Sequence, residues 1–152
     1  MHQVTISIKT SNADKLTEIL RDISNPKSPN YGKHLTKQEV DRLTSNEEGR
    51  DLVISYLSSF NAEVVDRSSN GMQLTVKANI AMWNSCLHTH FFAYKLKSDA
   101  DSNIADSSNR VYIRARQYSL PETIASQIGH ISNTVEFPME LNRGPSHHRA
   151  DI

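Results

Sequence analysis

Ser28-Pro29-Asn30-Tyr31-Gly32-Lys33-His34-Leu35-Thr36 lies between two helical patterns, and its reading decides the rest of the chain. Pro26 and Pro29 each remove a backbone donor and fix a φ angle. Gly32 places a residue free to take positive φ directly after the Tyr31 ring. Thr36, with Glu39 three residues on, has the pattern of a capping box that opens the next helix. So stiff a turn is expected to bury Tyr31 against the domain or to hold it toward a partner. An ordinary inter-helix connection is the competing reading.

Working outward, Val4, Ile6 and Ile8 alternate with Thr5, Ser7 and Lys9, the period of a half-buried strand. Asn12 is placed to cap a helix whose apolar positions Leu16, Ile19, Leu20 and Ile23 share one face. Beyond the Pro-containing turn, Val40 and Leu43 mark a short helix from Lys37. Ser45 and Glu48 then form a second capping-box pattern, ahead of a helix striped by Leu52, Val53, Tyr56, Leu57 and Phe60. Glu63 to Arg67 and Met72 to Ala78 read as strands around the turn Ser69-Asn70-Gly71. Asn79 can cap a helix running to about Leu87, with Trp83 and Cys86 on its inner face. Phe91 to Lys97 and Arg110 to Ala115 read as strands flanking a polar loop, Ser98 to Asn109. Pro121 falls in the first turn of a short helix, and Ile128 to Ile131 is extended. Periodicity stops after Asn133, so residues 1–133 are expected to form the domain and 134–152 an exposed linker.

Strands do not alternate one-for-one with long helices. That pattern predicts an α+β fold: an antiparallel sheet with helices on one face, arranged as a split β-α-β of ferredoxin type. At 152 residues there is room for one domain with a real core. A formal net charge of zero offers nothing to attract nucleic acid or an anionic membrane. The basic-aromatic run Arg110 to Arg116 lacks the Gly-aromatic pattern of an RNA-binding sheet. No apolar run reaches membrane-spanning length. Cys86 stands alone, so no internal disulfide forms. His88-Thr89-His90 and His147-His148 lack a third ligand at useful spacing, and no metal site or cofactor is expected in this chain.

Ser24-Asn25-Pro26-Lys27-Ser28-Pro29-Asn30-Tyr31-Gly32-Lys33-His34-Leu35-Thr36 resembles the S-D-P-x-S-P-x-Y-G-K-x-L-T signature of the sedolisin activation domain, also called the pro-kumamolisin domain. Tyr118-Ser119-Leu120-Pro121-Glu122-Thr123-Ile124-Ala125 resembles the Y-x-L-P-x-x-I/L-A segment near the end of that domain. The resemblance spans Val4 through Ile131. It implies the propeptide architecture shared by sedolisins and subtilisins, and a role as chaperone and inhibitor of an acid serine peptidase, released at acid pH. The implied partner is the cognate sedolisin catalytic domain, reached by a secretory route to the lysosome or the cell exterior. The peptidase's Gly-Thr-Ser motif, its acidic residues and its calcium site belong to that domain. Here Gly32 is followed by Lys33 and Gly71 by Met72. Tyr31, Lys33, His34, Arg114 and Arg116 are the implied docking candidates. Phe137, Arg143, His147, His148 and Arg149 are candidates for a cleft-filling, cleavable linker. Met1-His2 runs straight into a strand with no leader pattern, so the chain reads as a piece of a longer precursor. The alternative is a free-standing secreted α+β protease inhibitor.

Overall fold

The structure, a computed structural model, describes residues 1–95 and 111–137. In β1 (His2–Ile8) the even positions His2, Val4, Ile6 and Ile8 are all buried, as the two-residue period requires. β1 lies antiparallel to β3 (Gln73–Ala78) on one side and to β6 (Ile128–Ser132) on the other. β2 (Glu63–Arg67) flanks β3, giving the order β2-β3-β1-β6. Each helical crossover, from β1 to β2 and from β3 to β6, therefore joins strands with one other strand between them. The α+β expectation holds.

The inward faces of β1, β3 and β6 meet helices α3 (Glu47–Ser58), α4 (Ile80–Cys86) and α5 (Glu122–Ala125). Val53 and Leu57 of α3, Met82, Trp83 and Cys86 of α4, and Ile124 of α5 fill that layer. Each fully buried aliphatic side chain there contributes about 1.5–3 kcal/mol. Trp83 sits wholly inside because its Nε1 donates to His2 O at 3.0 Å. The opposite sheet face carries Gln3, Thr5, Ser7, Thr75 and Lys77.

Helices α1 (Ala13–Ser24) and α2 (Lys37–Thr44) form a separate arm. Of the α1 stripe only Ile23 is buried; Leu20 is exposed. Leu16, Ile19, Leu20 and Ile23 instead face Leu35 and Val40 across a shallow apolar groove.

Several local expectations need correction. The strands after α4, β4 (Phe91–Lys95) and β5 (Val111–Ala115), form their own two-stranded sheet rather than extending the main one. β5 meets the chain beyond β6 through the bond from Ala115 N to Thr134 O. Asn12 occupies the N-cap position of α1 at φ 54 without capping it; its Nδ2 donates to Leu43 O, tying α1 to the end of α2. The α3 cap is Asn46, not Ser45: Asn46 Oδ1 accepts from Gly49 N at 3.0 Å, and Nδ2 reaches Lys9 O and Gln127 Oε1. Pro121 precedes α5 as its N-cap. The capping boxes or caps at Thr36 and Asn79 form as the spacing predicts.

Candidate functional site

The turn between α1 and α2 is built on Asp22, in the last turns of α1. Its carboxylate accepts from Ser28 Oγ and from Asn30 Nδ2 at 2.8 Å. Ser28 Oγ in turn accepts from Asn30 N, and Gly32 N donates to Ile23 O at 3.0 Å. Gly32 adopts φ +74, the left-handed region that the sequence reserved for it. Ser28 and, next, Asn30 hold the Asp22 carboxyl below its usual range. The turn is thus fastened almost entirely by groups within it.

Within this turn Tyr31 is 58% exposed, so it is displayed rather than buried against the domain. Lys33 Nζ donates to Asn30 Oδ1 at 3.2 Å, which lays the ammonium across the turn. His34 is exposed and borders the α1–α2 groove. Three of the docking candidates therefore occupy one surface.

The other two do not share a role. Arg114 is buried, at 7% exposure. Its Nε donates to Glu136 O, its Nη1 to Ile113 O at 2.7 Å, and its guanidinium lies 5.9 Å from the Tyr112 ring centroid and 6.0 Å from that of Phe137. It is committed to contacts inside the domain. Arg116 is exposed, stacked 5.8 Å from the Phe92 centroid at the mouth of a shallow concavity shared with His88 and His90.

Past β6 the chain turns at Asn133, φ 67, and crosses to the β4–β5 hairpin. Thr134 is fully buried and donates from Oγ1 to Ile131 O. His130 Nε2 and Glu136 Oε1 are 3.3 Å apart. Phe137 packs edge-on to Tyr94, centroids 5.2 Å apart, and remains half exposed. The division expected between 133 and 134 cuts through this packed segment. Arg143, His147, His148 and Arg149 lie outside the described residues, as does the expected loop from Ser98 to Asn109.

Sequence reading gave His2, Asn133 and Glu136 no part in fastening the exit. The signal for His2 was present: it shares the even-numbered face of β1 with Val4, Ile6 and Ile8. Asn133 and Glu136 carry no local signature, since their partners are Gln3 and Arg114. Cys86 offers no nucleophile: burial pushes its thiol up to about 11. Tyr56, donating to Cys86 O at 2.8 Å, is raised to about 12, chiefly by burial. Among the described residues no group of three or more His, Cys, Asp or Glu could hold a metal ion, and no helix is long and apolar enough to cross a membrane.

An α+β domain with a rigid displayed turn and a separately fastened exit is what the geometry defines. The family model for the pro-kumamolisin activation domain matches residues 1–137, and the chain belongs to this family. It is 30% identical over 133 residues to tripeptidyl-peptidase SED4 of Arthroderma otae, covering 87% of this chain and 21% of that protein. Over 130 residues it is 29% identical to tripeptidyl-peptidase sed1 of Aspergillus fumigatus, covering 84% of this chain and 19% of that protein. Physarolisin of Physarum polycephalum is 30% identical over 147 residues, covering 93% and 24% of the two chains. The chain thus spans about a fifth to a quarter of the length of these relatives.

Proposed function

We propose that this chain is the activation propeptide of a sedolisin-type serine peptidase, acting as a folding template and inhibitor of the catalytic domain and released at acid pH. The observation that carries this reading is the family match over 1–137, which takes in every element from β1 to β6. A secretory route, to the lysosome or the cell exterior, follows from the same reading. The docking surface combines the polar outer face of the sheet with the displayed turn, where Tyr31, Lys33 and His34 are accessible. Arg116 is the exposed cation of the β4–β5 hairpin and the remaining candidate to meet a peptidase carboxylate. The chain from Phe137 onward, with Arg143, His147, His148 and Arg149, supplies the cleft-filling and cleavable segment.

Carboxylates of the partner paired with Lys33 or Arg116 would have depressed pKa values in the complex. They contribute binding above their free values of about 4 and lose it as pH falls through the depressed ones. The test is inhibition in trans: the 152-residue chain is added to a separately activated sedolisin catalytic domain and the inhibition constant is measured from pH 7 to 3.5. Tight inhibition that weakens mainly below about pH 4.5 is the expected outcome. No inhibition and no binding at pH 7 would sink the reading.

A further inference from the structure

The turn from α4 into β4 and the chain leaving β5 enclose a concavity of about 230 Å³. His88, Thr89 and His90 line it from the turn, Phe92 from β4, and Arg116 and Gln117 from the end of β5. Its walls are tied to each other. Thr89 Oγ1 donates to Gln117 O, and Ser119 N donates to Leu87 O at 3.0 Å. His88 Nδ1 lies 3.4 Å from Ser119 O. A carbonyl oxygen only accepts, so Nδ1 carries the hydrogen of the neutral ring. Nε2 is then the nitrogen that becomes a donor when the ring is protonated.

We propose that this concavity is an oxyanion site, in which Arg116, His88 and His90 together hold one anionic group. Its lining has one permanent cation, two side chains that become cations in acid, and no carboxylate. The hairpin register makes that arrangement costly without a ligand. Phe91 pairs with Ala115, so the next positions along the two strands, His90 and Arg116, come opposite each other. Like charges directly opposite repel, and an anion between them replaces that repulsion with two attractions. Arg116 is also prepared to bind. Its guanidinium lies 5.8 Å from the Phe92 centroid, which steadies the long side chain. Among the described residues the ion pairs are Arg50–Asp51 and His130–Glu136, so Arg116 is engaged by neither. A guanidinium held in this way offers its N–H fork to a carboxylate or a tetrahedral oxyanion.

Charge sets how the site responds to acid. The titratable or charged groups facing it are His88 and His90 from the turn and Arg116 from β5; Thr89, Phe92 and Gln117 stay neutral. An anion bound beside an imidazolium favours the charged ring, so binding strengthens as the histidines take up protons. For a carboxylate ligand the gain ends where the ligand itself is protonated, near a pH of about 4. A carboxylate paired with Lys33 alone has no such gain and only weakens in acid. The site belongs to this chain, and only the identity of its occupant rests on the propeptide reading. In that reading the occupant is an Asp or Glu side chain of the catalytic domain. The two imidazoles then hold this contact closed while the pH falls toward 5, and neutralisation of the carboxylate releases it. A free oxyanion is the other source of the same chemistry.

The probe is sodium sulfate, which stays dianionic from pH 7 to 5.5. It is titrated into the 152-residue chain and followed by NMR against sodium chloride of equal ionic strength, which cancels screening. Exposed charge pairs are weak, so a dissociation constant of about 10 mM is expected at pH 6. The Arg116 Nε–H and the His88 and His90 ring signals should move saturably, and the two rings should titrate at higher pH in sulfate than in chloride. The Lys33 and His130 signals, outside the concavity, should respond alike to both salts. Arg116→Gln should weaken binding about tenfold or more. His88→Gln/His90→Gln should abolish its growth between pH 7 and 5.5. Equal responses to sulfate and chloride, or unchanged binding in Arg116→Gln, would overturn the site. Inhibition constants at pH 6 decide the occupant. If a peptidase carboxylate fills the site, Arg116→Gln weakens inhibition about tenfold and sulfate competes with the wild type. Sulfate binding beside inhibition that Arg116→Gln does not change would overturn the carboxylate occupant and leave a site for free oxyanions. A wild-type chain that does not inhibit would remove the propeptide reading, while the sulfate titration still decides the site.

Discussion

The turn from Asn25 to Thr36 and the exit from Asn133 to Phe137 are both irregular chain fastened by side chains, yet they are fastened in opposite ways. The turn is local: Asp22, Ser28, Asn30 and Gly32 bond to one another or to Ile23, all within a few residues. The exit is non-local: His2, Gln3, Arg114 and Ala115 reach it from two distant strands, and three of these four residues are buried. The key titrating group of the turn is an exposed carboxylate with a lowered pKa; that of the exit is a buried imidazole with a lowered pKa. For Asp22 the stabilisation is complete above 3.8 and lost as pH falls through the lowered value. For His2, burial opposes the charged ring most strongly and the bond to Asn133 O favours it. One chain therefore carries two fastenings, one closed within a few residues and one drawn from distant strands.

The strongest way to break this contrast is Arg114→Met. The variant keeps the apolar stem but strands the Glu136 and Ile113 carbonyls and removes the cation between Tyr112 and Phe137. A loss of about 2–3 kcal/mol is expected by urea unfolding, with exchange accelerated at residues 134–137 and not in the turn. Equal acceleration in both regions would show that the exit is not separately fastened.

Next comes Gly32→Ala. An added Cβ meets nothing within 4 Å, so the change tests the backbone alone. Holding alanine at φ +74 should cost about 1–2 kcal/mol, confined to the turn. No change in stability would mean that the turn relaxes freely and is not stiff.

The same contrast explains what could be read from sequence. The turn was legible because its parts are neighbours: two prolines, a glycine after an aromatic, and the Thr36–Glu39 box, whose reciprocal bonds form. The period of β1 and the striped faces of α3 and α4 located the core for the same reason. The exit was not legible, because nothing near Asn133 in sequence announces His2 or Arg114. Arg114 looked like a docking cation on a strand and is instead sequestered, a fact that depends on how β5 meets the chain after β6. The arm α1–α2 shows the converse limit: the α1 stripe was found, but its period could not reveal that most of it faces a groove rather than the core.

Asp22→Asn isolates what the carboxylate contributes to the turn. The amide can still accept from Ser28 or Asn30, but it does not titrate. Protection of Gly32 N, which donates to Ile23 O, should lose its dependence on acid below pH 4, while protection of Ala115 N is unchanged by the substitution. A matching change at Ala115 would contradict two independent fastenings.

Tyr31→Ala should have the smallest effect on the isolated chain and is the most informative about function. The ring is 58% exposed, and the prolines, Gly32 and Asp22 fasten the turn without it. Its removal should change stability by no more than about 0.5 kcal/mol, the range of surface substitutions away from special features. A displayed tyrosine on a stiff turn is, however, well suited as an interface anchor, because its ordering cost has been met before binding. If the turn docks on a peptidase, the same variant should weaken inhibition by about tenfold or more at pH 7, the effect of losing a contact worth over about 1 kcal/mol. Thermal unfolding and the inhibition constant, measured on one preparation, separate the outcomes. Unchanged inhibition beside unchanged stability would leave the turn a connector and move docking to the open face of the sheet. A large loss of stability would instead mean that Tyr31 packs against the domain, as its prolines first suggested.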